Sequence, residues 1–336
     1  MKWGLPLYER NGSSVRSFEF GYDPSGNRTL QIDATPTSTV RWEYQYDWLD
    51  RLSVVKKGVN GGSVLDVSVY SYDESDNRTK FELPQDVVEF VYSFDAANQL
   101  ETMEKKVTGG STIFTETFDY DADGNMISRE RDDTGVTIAY QWNDLNKLIA
   151  VSSADSGGPT TDAKQDSLYG VNGFRRRKKG KDDVVTTEYA DGLATAVAKS
   201  SSSTVTYLKA HQLVGFERDG DFFYFLTDAL GSVRDICRGS DGAVLQSYDY
   251  KENGEKTVTL DGGISNSKTW VGGLSVQDET ADTDLYLMGH RWYSPSLGRF
   301  LSRDPIGFDG GLSLYAYAEN SPVTNVDPEG VIDRTI

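Results

Sequence analysis

One short pattern recurs six times in register, and it dictates what this chain can fold into. Phe20-Gly-Tyr22-Asp23-Pro-Ser-Gly26-Asn27-Arg28 returns as Tyr70-Ser-Tyr72-Asp73-Glu-Ser-Asp76-Asn77-Arg78 and as Phe118-Asp-Tyr120-Asp121-Ala-Asp-Gly124-Asn125-Met126. A sister form alternates with it: Tyr44-Gln-Tyr46-Asp47, Tyr92-Ser-Phe94-Asp95 and Tyr140-Gln-Trp142-Asn143. The second aromatic falls at 22, 46, 72, 94, 120 and 142, so the two forms share a joint period of 48–50 residues. A fixed period of this kind marks a repeat architecture in which each unit buries its apolar face against the next.

The physics of one unit is local. Aromatics at i and i+2 share one face of a strand. The Asp or Asn that follows starts a turn by accepting backbone N–H bonds two and three residues on. Gly26, Asp50, Asn77, Asn98, Gly124 and Asn146 fall near the position that needs positive φ. About 24 residues suffice for two strands of ~7 residues and two turns. The expectation is an all-β fold of spiralling antiparallel hairpins, roughly 12–16 strands across ~60–75 Å at ~4.8 Å spacing, curling into part of a shell or a small barrel. Composition agrees: 19 Tyr, 14 Phe and 6 Trp favour strands, and 33 Gly favour turns.

Charge and cysteine content narrow the function. Lys plus Arg is 34 against 52 Asp plus Glu, a net charge of −18. So acidic a surface argues against a nucleic-acid partner. The single cysteine, Cys237, excludes an internal disulfide framework and a multi-thiolate metal site. No signal peptide is visible at the first residues and no stretch approaches the ~18 apolar residues of a membrane helix.

Residues 151–168, polar and Gly/Ser-rich, read as a long loop between hairpins. Tyr169-Gly-Val-Asn172-Gly173-Phe174-Arg175 is a worn copy of the repeat, and it runs into Arg175-Arg-Arg-Lys-Lys-Gly-Lys181, which reads as a solvated hairpin tip or an anion-binding or targeting patch. Asp121-x-Asp123-Gly-Asn125 has the look of a calcium loop but carries Met126 where that loop needs Gly, so turn chemistry explains it. The sequons at Asn27 and Asn77 are by-products of the repeat. His211 and His290 are the only histidines and no Gly-x-Ser-x-Gly elbow exists, so conventional hydrolase readings are weak. No metal site and no cofactor is expected.

Near the C-terminus two Asp-Pro-x-Gly units, Asp304-Pro305-Ile-Gly307 and Asp327-Pro328-Glu-Gly330, lie 23 residues apart. Proline pushes the residue before it out of the α region, which sets each Asp on a stiff corner. Such carboxylates can do acid/base chemistry together or serve only as turns.

Over residues 18–150 the Tyr-Asp hairpins resemble the YD repeats of the Rhs family, shared with the C component of Tc toxins, bacterial wall-associated proteins and teneurins. Residues 222–331 resemble its repeat-associated core domain, on Thr227-Asp228-Ala-Leu-Gly231-Ser232-Val233-Arg234, Gly254-Glu255, and Arg291-Trp292-Tyr293-Ser-Pro295-Ser-Leu297-Gly298-Arg299-Phe300. Ser294 stands where the family usually has Asp. The resemblance implies a lead-in at 1–17, repeats at 18–221, the core domain at 222–331 and a remnant at 332–336. It implies that the core domain cleaves its own chain, with Asp304, Asp327 and Arg291 catalytic, Arg299 and Arg303 supporting, and the cut between Val331 and Ile332. Val331 replaces the usual Leu.

Two nearby carboxylates cannot both ionise cheaply, so one keeps a proton while the other acts as base on water. Arg291 or Arg303 can hold the ionised partner or the developing oxyanion. Cleavage in cis needs no pocket, because the substrate strand is tethered. The reading is the shell and self-cleaving core of a bacterial polymorphic toxin that encloses and releases a C-terminal effector, delivered by secretion or to the cell surface. Its partners are that effector or the remaining shell, with a secretion apparatus for delivery. The alternative is a non-catalytic surface or adhesion scaffold of the wall-associated or teneurin-like type. Only Ile332 to Ile336 follows the proposed bond, so the chain reads as an excised segment or a short core without cargo.

Overall fold

The computed structural model describes residues 2–4, 8–10, 13–154, 162–191, 194–331 and 334–335. Their dominant feature is one antiparallel sheet of 24 strands. From Ser13–Tyr22 to Lys256–Asp261 each strand pairs with its neighbour in chain order, and the short strands Lys2–Gly4 and Tyr8–Arg10 both pair with Ser13–Tyr22. The strand count exceeds the sequence expectation because hairpins continue past 150 where the motif has worn away.

Most turns of the repeat share one build, and Asp23 and Asp121 keep its bond from the residue four positions on. Asp73 Oδ1 accepts from Ser75 N (2.9 Å) and Asn77 N (2.8 Å). Asp47, Asp95, Asn143 and Asp228 do the same with residues two and four positions on. The second bond thus falls four residues after the Asp rather than three, because the turn closes a bulge (Tyr72 opposite Arg78). Positive φ falls at Gly26, Asp50, Asp76, Asn98, Gly124 and Asn146. The expectation at Asn77 is off by one, since Asp76 holds that place and Asn77 side-chain bonds back to Asp73.

The second aromatic does more than pack. Tyr46 Oη donates to Arg28 O (2.6 Å), Tyr72 to Leu52 O (2.8 Å), Trp142 Nε1 to Met126 O (2.8 Å) and Tyr169 to Leu148 O (2.9 Å). Each reaches the residue five after the Asp of the preceding turn. Tyr250 repeats the bond with Val233 O (2.7 Å). The hairpin scheme therefore runs on through residues 222–261, and the boundary expected at 222 coincides with no break in the sheet. The strand Ser13–Tyr22 likewise spans the boundary expected at 17.

Two sequence readings are corrected. Residues 151–154 and 162–168 belong to the paired strands Leu148–Ala154 and Asp162–Tyr169, so the expected 151–168 loop shrinks to its middle, which lies outside the described residues. The basic run is a strand, Arg175–Gly180, rather than a tip. Arg175 is buried against Glu188 (2.9 Å) and Glu279, and Lys178 reaches Glu279 (2.6 Å). Burial pushes the Glu279 carboxyl up, but Arg175 and Lys178 outweigh it and hold it down to about 2.

The sheet wraps around residues 262–331, which pack on its inner face. Leu285, Leu287, Trp292, Leu297 and Leu301 share a core with Tyr44, Tyr70, Tyr92, Phe118 and Tyr140 of the hairpins. A second core of Trp270, Tyr286, Tyr293, Phe300 and Tyr317 stabilises this plug from within. The two ends of the sheet meet through side chains. Arg16 binds Asp33 (2.8 Å) and Asp235 (2.9 Å), and Arg234 binds Asp33 (2.8 Å) and Asp249. Among the described residues no backbone ladder joins those ends, so the sheet is an open spiral with an ionic seam.

Candidate functional site

Along one rim of the spiral, neighbouring turns are laced together. The residue four after each Asp donates to the residue three after the next: Asn27 to Asp50 (2.6 Å), Arg51 to Asp76 (2.8 Å), Asn77 to Asn98 (2.8 Å), Asn125 to Asn146 (2.9 Å). The lacing fails where the acceptor is a glycine. Opposite Gln99 stands Gly124, and opposite Lys147 stands Gly173.

The plug fills both gaps. Arg303 and Tyr315 enter at Gly124. Tyr315 Oη donates to Gly124 O (2.8 Å), and Gln99 Oε1, with its amide turned accordingly, accepts from Arg303 Nη2 (3.1 Å). A Cβ at Gly124 would lie 2.4 Å from Arg303 Nε. At the second gap Lys147 Nζ donates to His290 O (3.3 Å).

Between these docking points lies a cleft of about 270 Å³ lined by Lys147, His290, Arg291, Arg303, Asp304 and Pro305. Arg291 is its organiser, projecting from the strand Arg291–Ser294. Its Nη2 contacts both Asp304 Oδ2 (2.8 Å) and Asp327 Oδ2 (3.0 Å). Nε donates to Gly330 O (2.5 Å), Nη1 to Leu314 O (3.2 Å), and the guanidinium lies 3.6 Å over the Phe300 ring. All three charged groups are buried.

The two Asp-Pro-x-Gly corners present the carboxylates. Asp304 Oδ1 accepts from Ile306 N (2.9 Å), and the turn closes by Gly307 N to Asp304 O with φ +64° at Gly307. Asp327 Oδ1 accepts from Val331 N (3.0 Å), and Gly330 takes φ +69°. Gly330 also has no room for a side chain, since a Cβ there would sit 2.6 Å from Met288 O.

Burial pushes the Asp304 carboxyl above its ordinary range, and nearby Asp327 adds to this against the pull of Arg291 and the Ile306 N–H. His290 is pushed down by burial and by Lys147, whose own ammonium burial also lowers. Two buried carboxylates share one guanidinium nitrogen, with one carboxyl biased to keep its proton. Such a set can move a proton to and from a chain segment lying against it.

The structure thus brings Asp304, Asp327, Arg291, Gly330 and Val331 together. Arg303 lines the cleft but turns toward Gln99 and Tyr315. Arg299 belongs elsewhere, donating to Asn98 O (2.8 Å) with its guanidinium over Phe94 and Tyr315. Arg334–Thr335 pairs antiparallel with Asn325–Val326. Ile332 lies outside the described residues. Sequence reading missed Lys147 and His290, for which the glycine at 173 was the available signal.

A family described as the teneurin YD-shell matches residues 8–323. Toxin subunit YenC2 of Yersinia entomophaga is 47% identical over 92 residues, 27% of this chain and 9% of that protein. Double-stranded DNA deaminase toxin A of Burkholderia cenocepacia is 32% identical over 143 residues, 42% of this chain and 10% of that protein. Salivary gland surface protein 1 of Aedes aegypti is 30% identical over 179 residues, 52% of this chain and 5% of that protein. The chain spans a tenth or less of these relatives. Among solved structures, the crystal structure of TcdB2-TccC3-TEV aligns with 98% of this chain and 21% of its own at 17% identity, with a TM-score of 0.46.

Proposed function

The chain belongs to the teneurin YD-shell family, and on that premise we propose that it is the shell-and-core segment of a toxin-like protein that cuts itself beyond Asp327. The observation that carries this reading is Arg291 Nη2 shared between Asp304 and Asp327, with Asp327 also bonded to Val331 N. Asp327, paired with Arg291 Nη2, accepts a proton from the water that adds to the Val331 carbonyl. Asp304 keeps a proton that passes to the Ile332 nitrogen as the C–N bond breaks. Arg291 holds the carboxylates in place and stabilises their charge. Tethering supplies the substrate at high effective concentration.

The plug fills the described interior, so the segment caps a shell rather than housing a cargo itself. The effector released, and the further shell that encloses it, are partners of this reading, and the setting is secreted or at the cell surface. Residues after Val331 are the start of what is released. The names of the toxin relatives support the reading as analogy alone.

The test appends a folded reporter after Ile336 and follows the product by intact mass. Self-cleavage yields a break after Val331, and both Asp304→Asn and Asp327→Asn stop it. Uncleaved wild type sinks the activity and leaves a non-catalytic scaffold. Cleavage that survives both substitutions keeps the activity and removes it from this site.

A further inference from the structure

Lys147 stands at the rim position whose counterparts Asn27, Asn77 and Asn125 bond to the next turn, yet the residue it faces there, Gly173, has no side chain. Its ammonium turns toward the plug instead, where Nζ donates to His290 O (3.3 Å) and lies 3.5 Å from His290 Nδ1. Burial lowers this ammonium, a cost that a rim lysine left in water would not carry.

Gly289 and His290 form the two-residue turn between the strands Tyr286–Met288 and Arg291–Ser294. That turn is held from both sides. On the shell side Lys147 bonds its carbonyl, and Phe174 of the next rim turn packs on the His290 ring with centroids 5.5 Å apart. On the plug side His290 N donates to Glu329 O (2.9 Å), and a Cβ at Gly289 would sit 2.5 Å from the same oxygen. Arg291 follows at once, with Nε on Gly330 O and Nη2 on both aspartates. One path thus leads from the rim turn at 143–147 through His290 to Glu329 and Gly330, the two residues before Val331.

A hydrogen bond from an ammonium is stronger than a neutral one, the more so away from water. Misplacing a reacting group by about 1 Å costs on the order of a hundredfold in rate. Resting on the self-cleavage reading above, we propose that Lys147 is a positioning residue for the cut. By holding the His290 carbonyl it sets Arg291 against Glu329 and Gly330, so the chain is cut only once the shell turns at 143–147 and 170–174 have closed on the plug.

The test uses the full chain with a folded reporter after Ile336 and follows cleavage over time by intact mass. Lys147→Met keeps the apolar stem, removes the donor and should slow cleavage at least tenfold; Lys147→Arg should recover most of that loss. Gly173→Asn supplies the missing rim acceptor at a φ of +77°, which Asn tolerates, and a Cβ there meets Lys147 Cε at an ordinary 3.5 Å. By drawing the ammonium off His290 it should slow cleavage with Lys147 intact. Asn27→Ala, which loses the lacing to Asp50 at another repeat, should cleave at the wild-type rate. Circular dichroism checks that each variant keeps its sheet. In an Asp304→Asn background, hydrogen exchange at Val331 N–H, which Asp327 accepts, should speed at least tenfold with Lys147→Met and little with Lys147→Arg. A wild-type rate in Lys147→Met or Gly173→Asn, an equal loss in Lys147→Arg or Asn27→Ala, or unchanged exchange at Val331 overturns the positioning role. If the wild type does not cleave, the self-cleavage reading fails, and exchange at Val331 still decides whether Lys147 holds this corner.

Discussion

Asp304 and Lys268 are both pushed toward their neutral forms by burial, with opposite pH signatures. Asp304 is raised, so its contribution to stability is present below the ordinary carboxylate range and is lost as pH rises through its folded value. If self-cleavage uses Asp304 as the acid, its rate should decline on the alkaline side of that raised value. Asp304→Asn should abolish cleavage rather than shift the profile, and a rate that stays constant as pH rises through and beyond that value would remove Asp304 from that role. Lys268 is fully buried, donates to Ser275 O (2.8 Å), and is lowered by burial to about 7. Between about 7 and its unfolded value the unfolded chain binds the extra proton, so this lysine makes the protein more stable as pH rises. Lys268→Met should gain up to a few kcal/mol over wild type at pH 6 and much less at pH 9, measured by urea unfolding at both. A pH-independent difference would contradict the burial argument.

At the scale of one hairpin, the tyrosine after each strand is a tie to the turn before it. Tyr72→Phe should cost about 1 kcal/mol in chemical unfolding, the usual worth of one such bond, with little change in fold because Phe94 occupies the same place elsewhere. Gly124→Asn should cost more. It would restore the rim lacing to Gln99, but its Cβ meets Arg303 and Tyr315, so the plug must shift. Loss of self-cleavage with the sheet intact by circular dichroism is expected, and wild-type cleavage in Gly124→Asn would show that plug docking at this gap is dispensable. The hairpins were legible in sequence because Asp, Gly and paired aromatics act within about ten residues. The tyrosine bond and the rim lacing were not, since each spans about 20 residues and depends on a bulge that shifts the register by one. Of Arg291, Arg299 and Arg303, all close in sequence, only Arg291 meets both aspartates; that allocation depends on which hairpin turn each faces, which is long-range information.

The whole molecule is a sheet whose inner face is crowded with phenols. Burial pushes Tyr46, Tyr120, Tyr140, Tyr169 and Tyr207 up to about 12. Unfolded tyrosine ionises near 10, so stability is retained below that pH and falls as pH rises past it. Alkaline unfolding should therefore be steep, with phenolate absorbance and loss of β signal rising together. Gradual ionisation of these rings without unfolding would refute it. The tyrosine ties also have a direction. Tyr46, Tyr72, Trp142, Tyr169 and Tyr250 each donate to a carbonyl of a hairpin already made, Tyr120 accepts from Leu100 N there, and the plug that touches turn after turn follows the hairpins. Emerging from a ribosome, each hairpin that carries such a tie meets its bonding partner already in place, while a chain refolding from denaturant must find the same order from both ends. Synthesis and refolding are thus different problems for this molecule, and the first is the one its polarity suits.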